Sequence, residues 1–166
     1  SRATARITIG GWGGRGALRG RCELRALQVV RRPRPFYHLS PGDVDVARRW
    51  VARRGADYDE LLWDCGVGRP RECAACARGT STEALFDLLT RLRADLVAVR
   101  SGVADVIEFK PELGSQAIGQ ALVYRELFAD DHLREYRRGS AVVVCASARD
   151  ELVAVAERLG VTVEVV

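Results

Sequence analysis

Arg93-Ala-Asp-Leu-Val-Ala-Val-Arg-Ser-Gly-Val-Ala-Asp-Val-Ile-Glu-Phe-Lys110 is the stretch whose reading decides the fold. Its apolar runs, residues 95–99 and 104–110, have the composition of strands, and Arg100-Ser-Gly102 between them is short enough for a hairpin. Downstream the signals alternate as helix 115–129, strand 141–146, helix 149–159 and strand 161–166, with Gly139 and Gly160 expected to punctuate helix ends. Successive β-α-β steps require parallel crossovers, whereas the hairpin is antiparallel. Together they predict an α/β fold with a mixed central sheet flanked by helices.

Upstream of this block, Ser40-Pro41 places a cap and then a proline at the first turn of a helix. Val44, Ala47 and Val51 recur on one face of that helix, Arg49 and Arg53 share the other, and Gly55 ends it. Residues 59–67 read as a strand, with a short helix as the alternative. Thr80-Ser-Thr-Glu83 is a capping box, followed by a stripe of Leu85, Leu88, Leu89 and Leu92. Residues 1–40 form a Gly/Arg/Pro-rich arm or β-hairpin extension, with strand signals at 5–9 and 22–30 around Gly10-Gly-Trp-Gly-Gly-Arg-Gly16. Arg31-Arg-Pro-Arg-Pro35 forbids regular structure, because each proline removes a donor and pushes its predecessor toward extended geometry. One domain over residues 41–166 is expected.

Composition bounds the function. The chain has 166 residues, 48% of them hydrophobic, which suits one packed core. No apolar run approaches the roughly 20 residues of a membrane span, and Ser1-Arg-Ala-Thr-Ala-Arg6 lacks an apolar secretory region, so no membrane partner and a cytoplasmic or virion-associated protein are expected. Of the 26 basic residues only Lys110 is a lysine, and methionine and asparagine are absent, a bias that fits a GC-rich genome and a hot habitat. A net charge of +4 permits a polyanionic partner. Arg48, Arg49, Arg53 and Arg54, with Arg31, Arg32 and Arg34, are either a track for a phosphate backbone or a solvated basic face. Five cysteines, an odd number with no export signal, predict reduced thiols. Cys73-Ala-Ala-Cys76 has the spacing of a zinc knuckle that Cys65 or Cys22 and His38 could complete, against free thiols in an arginine-rich loop.

The chemistry concentrates on the hairpin. Alternation puts Glu108 and Lys110 on one face of their strand and Ile107 and Phe109 on the other, with Asp95 at the start of the neighbouring strand. Charges among Val, Ile, Leu and Phe must pair or hold a metal, because their desolvation is costly. Carboxylate oxygens suit Mg²⁺ or Mn²⁺. A lysine there can orient water or shift its pKa, which an arginine cannot. On the next helix, Gln116-Ala-Ile-Gly-Gln-Ala-Leu-Val-Tyr-Arg-Glu-Leu-Phe128, apolar around most of its circumference, Gln120 needs a buried partner and Tyr124 lies beside it. His132 reads as an exposed helix-end residue, and His38 has no partner pattern.

The runs Arg93-Ala-Asp-Leu-Val-Ala-Val99, Asp105-Val-Ile-Glu-Phe-Lys-Pro111 and Gly119-Gln-Ala-Leu-Val-Tyr-Arg125 resemble the PD-(D/E)XK nuclease superfamily, in particular small members carried by tailed phages. The resemblance covers residues 80–166, and Tyr58-Asp-Glu-Leu-Leu-Trp-Asp-Cys-Gly-Val-Gly68 matches a preceding strand. It implies a restriction-endonuclease-like fold and Mg²⁺- or Mn²⁺-dependent cleavage of DNA. Asp95 and Glu108 would be metal-binding acids, Lys110 the catalytic lysine and Gln120 a supporting residue, with Tyr124 a secondary candidate toward nucleic acid; Arg49 and Arg53 are candidates for nucleic-acid contact from their shared basic face alone. Ala94 stands where the motif has proline. Glu83 is the nominee for the further metal-binding acid that many members add, and Asp43 or Asp45 replaces it if helix 41–54 is the first core helix. The alternatives are a non-catalytic structural or adaptor protein of a phage-like particle, joined to itself or to other virion proteins, and a zinc-stabilised DNA-binding module.

Overall fold

A computed structural model describes Phe36, residues 38–71 and residues 79–166. The expected arm, its glycine loop and the pair Cys73 and Cys76 lie outside the described residues. Helix α1 (Pro41–Arg54) starts as its sequence dictates: Ser40 Oγ accepts from the Asp43 N–H at 3.3 Å, and Pro41 occupies the first turn. Strand β1 (Glu60–Val67), helix α2 (Ser81–Thr90) and strands β2 (Leu92–Arg100) and β3 (Val103–Glu112) follow. Helix α3 (Ser115–His132), strand β4 (Arg137–Ser147), helix α4 (Asp150–Arg158) and strand β5 (Val161–Val165) complete the chain. Residues 60–67 are therefore strand, not helix.

The five strands lie in sequence order, β1-β2-β3-β4-β5. The pairs β1/β2 and β2/β3 are antiparallel, and β3/β4 and β4/β5 are parallel. This is the α/β arrangement with a mixed sheet that hairpin and crossovers together require. Strand β3 is the seam between the two halves, bonded antiparallel on one side and parallel on the other.

Helix α1 covers one face. Val46, Ala47 and Trp50 pack there against Leu61, Trp63, Leu96, Ile107, Phe109, Val142 and Val144, with Trp63 and Phe109 stacked at 5.9 Å. The Trp50 indole N–H donates to Glu164 Oε2 at 2.8 Å, so its one polar atom is satisfied in the core. Helices α3 and α4 cover the other face. Tyr124 and Phe128 meet Val97, Val99 and Val106, while Ala117, Ile118, Ala121 and Ala156 meet Val143, Cys145 and Val161.

Several expectations change. Gly139 lies inside β4 rather than at a helix end: a Cβ there would collide with the Ala104 carbonyl and Asp105 Oδ1, where the β3/β4 register shifts. Leu85 and Leu89 of the α2 stripe do not enter the core. Leu85 and Leu89 are exposed, as is Leu92 at the start of β2, because α1 and α3 already occupy both faces of the sheet. His132 is buried at 3% exposure, stacked on Phe128 at 4.4 Å with Nδ1 3.4 Å from Glu135 Oε2, because α3 continues to this residue instead of stopping at 129. The reduced-thiol expectation fails at Cys65, which is disulfide-bonded, whereas Cys145 is free and buried. An odd count of cysteines forbids full pairing but not a single bridge. Among the described residues, no helix is long and apolar enough to cross a membrane.

Candidate active site

Asp95 stands where both of its neighbouring ladders lapse. The β1/β2 register passes from Trp63↔Leu96 to Cys65↔Ala94 and omits Asp64 and Asp95, and the β2/β3 register begins only at Leu96↔Ile107. Asp64 has φ 55°, the left-handed region. Side-chain alternation breaks at the same level: Leu62 and Cys65 both join the α3-side cluster, and on β2 so do Ala94 and Val97, while Trp63 and Leu96 join the α1-side cluster. The distorted backbone of β1 is held by Arg93, whose Nε donates to Asp64 Oδ1 at 2.5 Å and whose Nη2 donates to the Asp64 carbonyl at 2.6 Å.

A main-chain group outside its ladder needs another partner. Here side chains supply them. The Asp95 N–H donates to Glu108 Oε1 at 3.2 Å, the Phe109 N–H donates to Asp95 Oδ2 at 3.0 Å, and the Asp95 carbonyl accepts from His38 Nε2 at 3.1 Å. The lapse in pairing therefore draws the two carboxylates into the gap between the strands.

Lys110 closes the group, with Nζ 3.4 Å from Asp95 Oδ2 and 3.7 Å from Glu108 Oε2. Glu108 is 2% exposed, and burial together with the charge of Asp95 pushes its carboxyl up to about 8, against the opposing pull of Lys110. Burial acts to lower the Lys110 pKa, but Asp95, Glu108 and Asp43 outweigh it and raise the pKa above the ordinary lysine value. Lys110 is thus held as an ammonium. Its expected readiness to shift toward the neutral form is not realised, because the acids around it favour the charge.

Gln120 and Tyr124 adjoin the group from α3. Gln120 Nε2 donates to Tyr124 Oη at 3.3 Å, and Gln120 Oε1 is buried without a hydrogen-bond partner among the described residues. Burial raises the Tyr124 pKa, as do Glu108 and Asp95. Tyr124 is only 8% exposed, so its ring belongs to the wall behind the site and is not a surface on which a base could stack. Glu83 is not brought to these residues. Its carboxylate accepts from the Gly79 N–H at 2.5 Å, and its own N–H donates to Thr80 Oγ1, which completes a cap. Asp43, at the start of α1, is the acid that reaches Lys110 electrostatically. Arg49 and Arg53 are exposed on α1, and no contact joins them to Asp95; Arg49 Nη1 donates to the Val166 carbonyl at 2.7 Å.

Two residues of this arrangement were hidden in the sequence. His38 lies 57 positions from the residue it contacts, and no motif links them. Asp64 carried a usable signal, an acid within Leu61-Leu-Trp-Asp-Cys65 that demanded a buried partner.

Asp95 and Glu108 present hard oxygens to one space, and Mg²⁺ is commonly held by one or two carboxylates plus water and substrate oxygens. The residues fit such an ion. Among the described residues, no three His, Cys, Asp or Glu side chains form a complete cage. No protein-family model, curated protein or solved structure matches the chain.

Proposed function

We propose that the protein is a metal-dependent nuclease that hydrolyses DNA phosphodiester bonds on a restriction-endonuclease-like fold. The observation that carries this reading is the convergence of Asp95, Glu108 and Lys110 in the gap between β2 and β3. The strand order, with an antiparallel hairpin leading into parallel strands, agrees with it.

Asp95 and Glu108 would hold Mg²⁺ or Mn²⁺, which when bound supplies an activated water and neutralises charge on the phosphate. Glu108 must give up its proton to serve, and the cation replaces that proton as the partner of the buried oxygens. Lys110, already an ammonium, orients the attacking water and stabilises the negative charge that grows on the phosphoryl oxygens. The open acceptor at Gln120 Oε1 receives a hydrogen bond from water or from a substrate hydroxyl. Asp95 and Glu108 do most to hold Lys110 charged, and Asp43 adds negative charge from the α1 side.

The decisive experiment is cleavage of labelled DNA in Mg²⁺ or Mn²⁺. Lys110→Ala and Glu108→Gln each abolish cleavage, and circular dichroism checks that both variants remain folded. Cleavage that survives both substitutions rejects the assignment.

A second reading rests on the exposed leucines Leu85, Leu89 and Leu92. Such a stripe suits a protein partner, as in a structural or adaptor protein of a phage-like particle that keeps the fold without the reaction. That protein is inert with both metals, associates with itself or with particle components, and tolerates both substitutions.

A further inference from the structure

We infer that His38 is a positioning residue for Asp95, and that the segment leading into α1 is therefore part of the active site. This inference rests on the nuclease reading and deepens it. The backbone of Asp95 belongs to neither the β1 nor the β3 ladder at its own position. Its N–H goes to Glu108, its carboxylate receives the Phe109 N–H and Lys110, and its carbonyl receives His38. Three of these four partners come from β3, the strand that carries the other site residues. His38 comes from a different part of the chain and fixes the remaining main-chain atom.

The chemistry of the contact is defined. A carbonyl oxygen only accepts, so the ring carries its hydrogen on Nε2. The Trp63 ring lies beside it, its centroid 6.4 Å from that of His38, and Trp63 is itself packed between Phe36 at 4.8 Å and Phe109 at 5.9 Å. Two residues further on, Ser40 caps α1, and the same first turn presents Asp43 toward Lys110. Segment 38–43 thus touches the site twice, once through the Asp95 main chain and once through the field at Lys110. Loss of the His38 donor frees the Asp95 carbonyl, lets the peptide rotate, and displaces the carboxylate that Phe109 and Lys110 hold.

The test uses the full chain and three proteins: the parent, His38→Ala and His38→Gln, whose side-chain amide can donate to the same carbonyl. Mn²⁺ binding is read by electron paramagnetic resonance, cleavage by steady-state kinetics, and the Asp95 carboxylate by hydrogen exchange of the Phe109 amide. Partners that orient a metal ligand typically change metal affinity or activity by about 10- to 100-fold when lost. His38→Ala is expected to weaken Mn²⁺ binding and lower kcat by about 10-fold each, leave KM for DNA within about two-fold, and speed Phe109 amide exchange, with His38→Gln recovering most of each change. Parent-like behaviour of His38→Ala in metal affinity, kcat and exchange overturns the inference, as does a His38→Gln protein impaired as badly as the alanine variant. If the parent neither binds Mn²⁺ nor cleaves DNA, the nuclease reading falls, and the Phe109 exchange rate still decides whether His38 positions Asp95.

Discussion

The Asp95 main-chain N–H donates to the Glu108 carboxylate at 3.2 Å, in place of the backbone partner that an antiparallel ladder would give it. The two acids are therefore bound by a break in the sheet as well as by their shared cation, Lys110.

Glu108 carries the pH dependence. Its folded pKa, about 8, lies above the ordinary carboxylate value, so the folded protein holds a proton that the unfolded chain releases. The stability this contributes is complete below the unfolded pKa and is lost as pH rises through about 8. Thermal melts of metal-free protein should fall in midpoint across that window, and Glu108→Gln should flatten this part of the trend. Mn²⁺ affinity should rise over the same window and level off above it, because the ion displaces the proton. A pH-independent Mn²⁺ affinity would contradict the assignment of this pKa to a metal ligand.

Lys110 should not be replaceable by arginine. Lys110→Ala should lower kcat by about 100-fold or more, the loss that follows removal of one group stabilising charge in the transition state. Lys110→Arg keeps the charge but brings a planar, wider head into a space with partners at 3.4 and 3.7 Å, and should recover less than about a tenth of the lost activity. Steady-state cleavage assays of the two variants check this, and parent-like activity in Lys110→Arg rejects it.

On the nuclease reading, Gln120 trades stability for function. Its Oε1 is buried without a partner among the described residues, a state that costs about 1–3 kcal/mol. Gln120→Leu should leave the urea midpoint unchanged or raise it while lowering kcat by about 10-fold. A variant that is less stable and fully active shows instead that Gln120 is only a packing residue.

Arg93 and Asp64 hold β1 in shape. Asp64 is 4% exposed, and Arg93→Met removes the guanidinium that donates to both its carboxylate and its carbonyl. A loss of about 3 kcal/mol is expected in urea denaturation, the usual result of removing one member of a buried pair. A change under about 0.5 kcal/mol would put the pair among surface bridges of little consequence.

The sequence made the sheet readable because its signals were local. Alternation in Val106-Ile-Glu-Phe-Lys110 assigns faces without reference to the rest of the chain, and Ser40-Pro41 and Thr80 through Glu83 announce their helices through caps a few residues long. The strand ends extended beyond their apolar cores, as in β4, where Arg137 through Ser140 carry no apolar pattern and are strand because the register with Val103 and Ala104 places them there. Burial set by distant packing was not readable. His132 looked like a polar residue at a helix end, and Phe128, four positions earlier, stacks on it inside. The leucines of α2 looked like a core face, but amphipathicity does not reveal whether a surface is still vacant. Within the site, Asp95, Glu108 and Lys110 were legible from one hairpin, while His38 depends on a contact that no local pattern encodes.

That difference in sequence separation sets an order of assembly. Asp95 and Glu108 are 13 residues apart on a hairpin with a tight turn, whereas His38 reaches Asp95 across 57 residues. Closing the shorter loop costs less chain entropy, so the acidic pair can meet while much of the chain is still unfolded. Such an early hairpin has the two acids but not the contact on the Asp95 carbonyl. Only the docking of the first helix completes the site, which makes the final tertiary contact a checkpoint that separates a partly folded chain from a competent one.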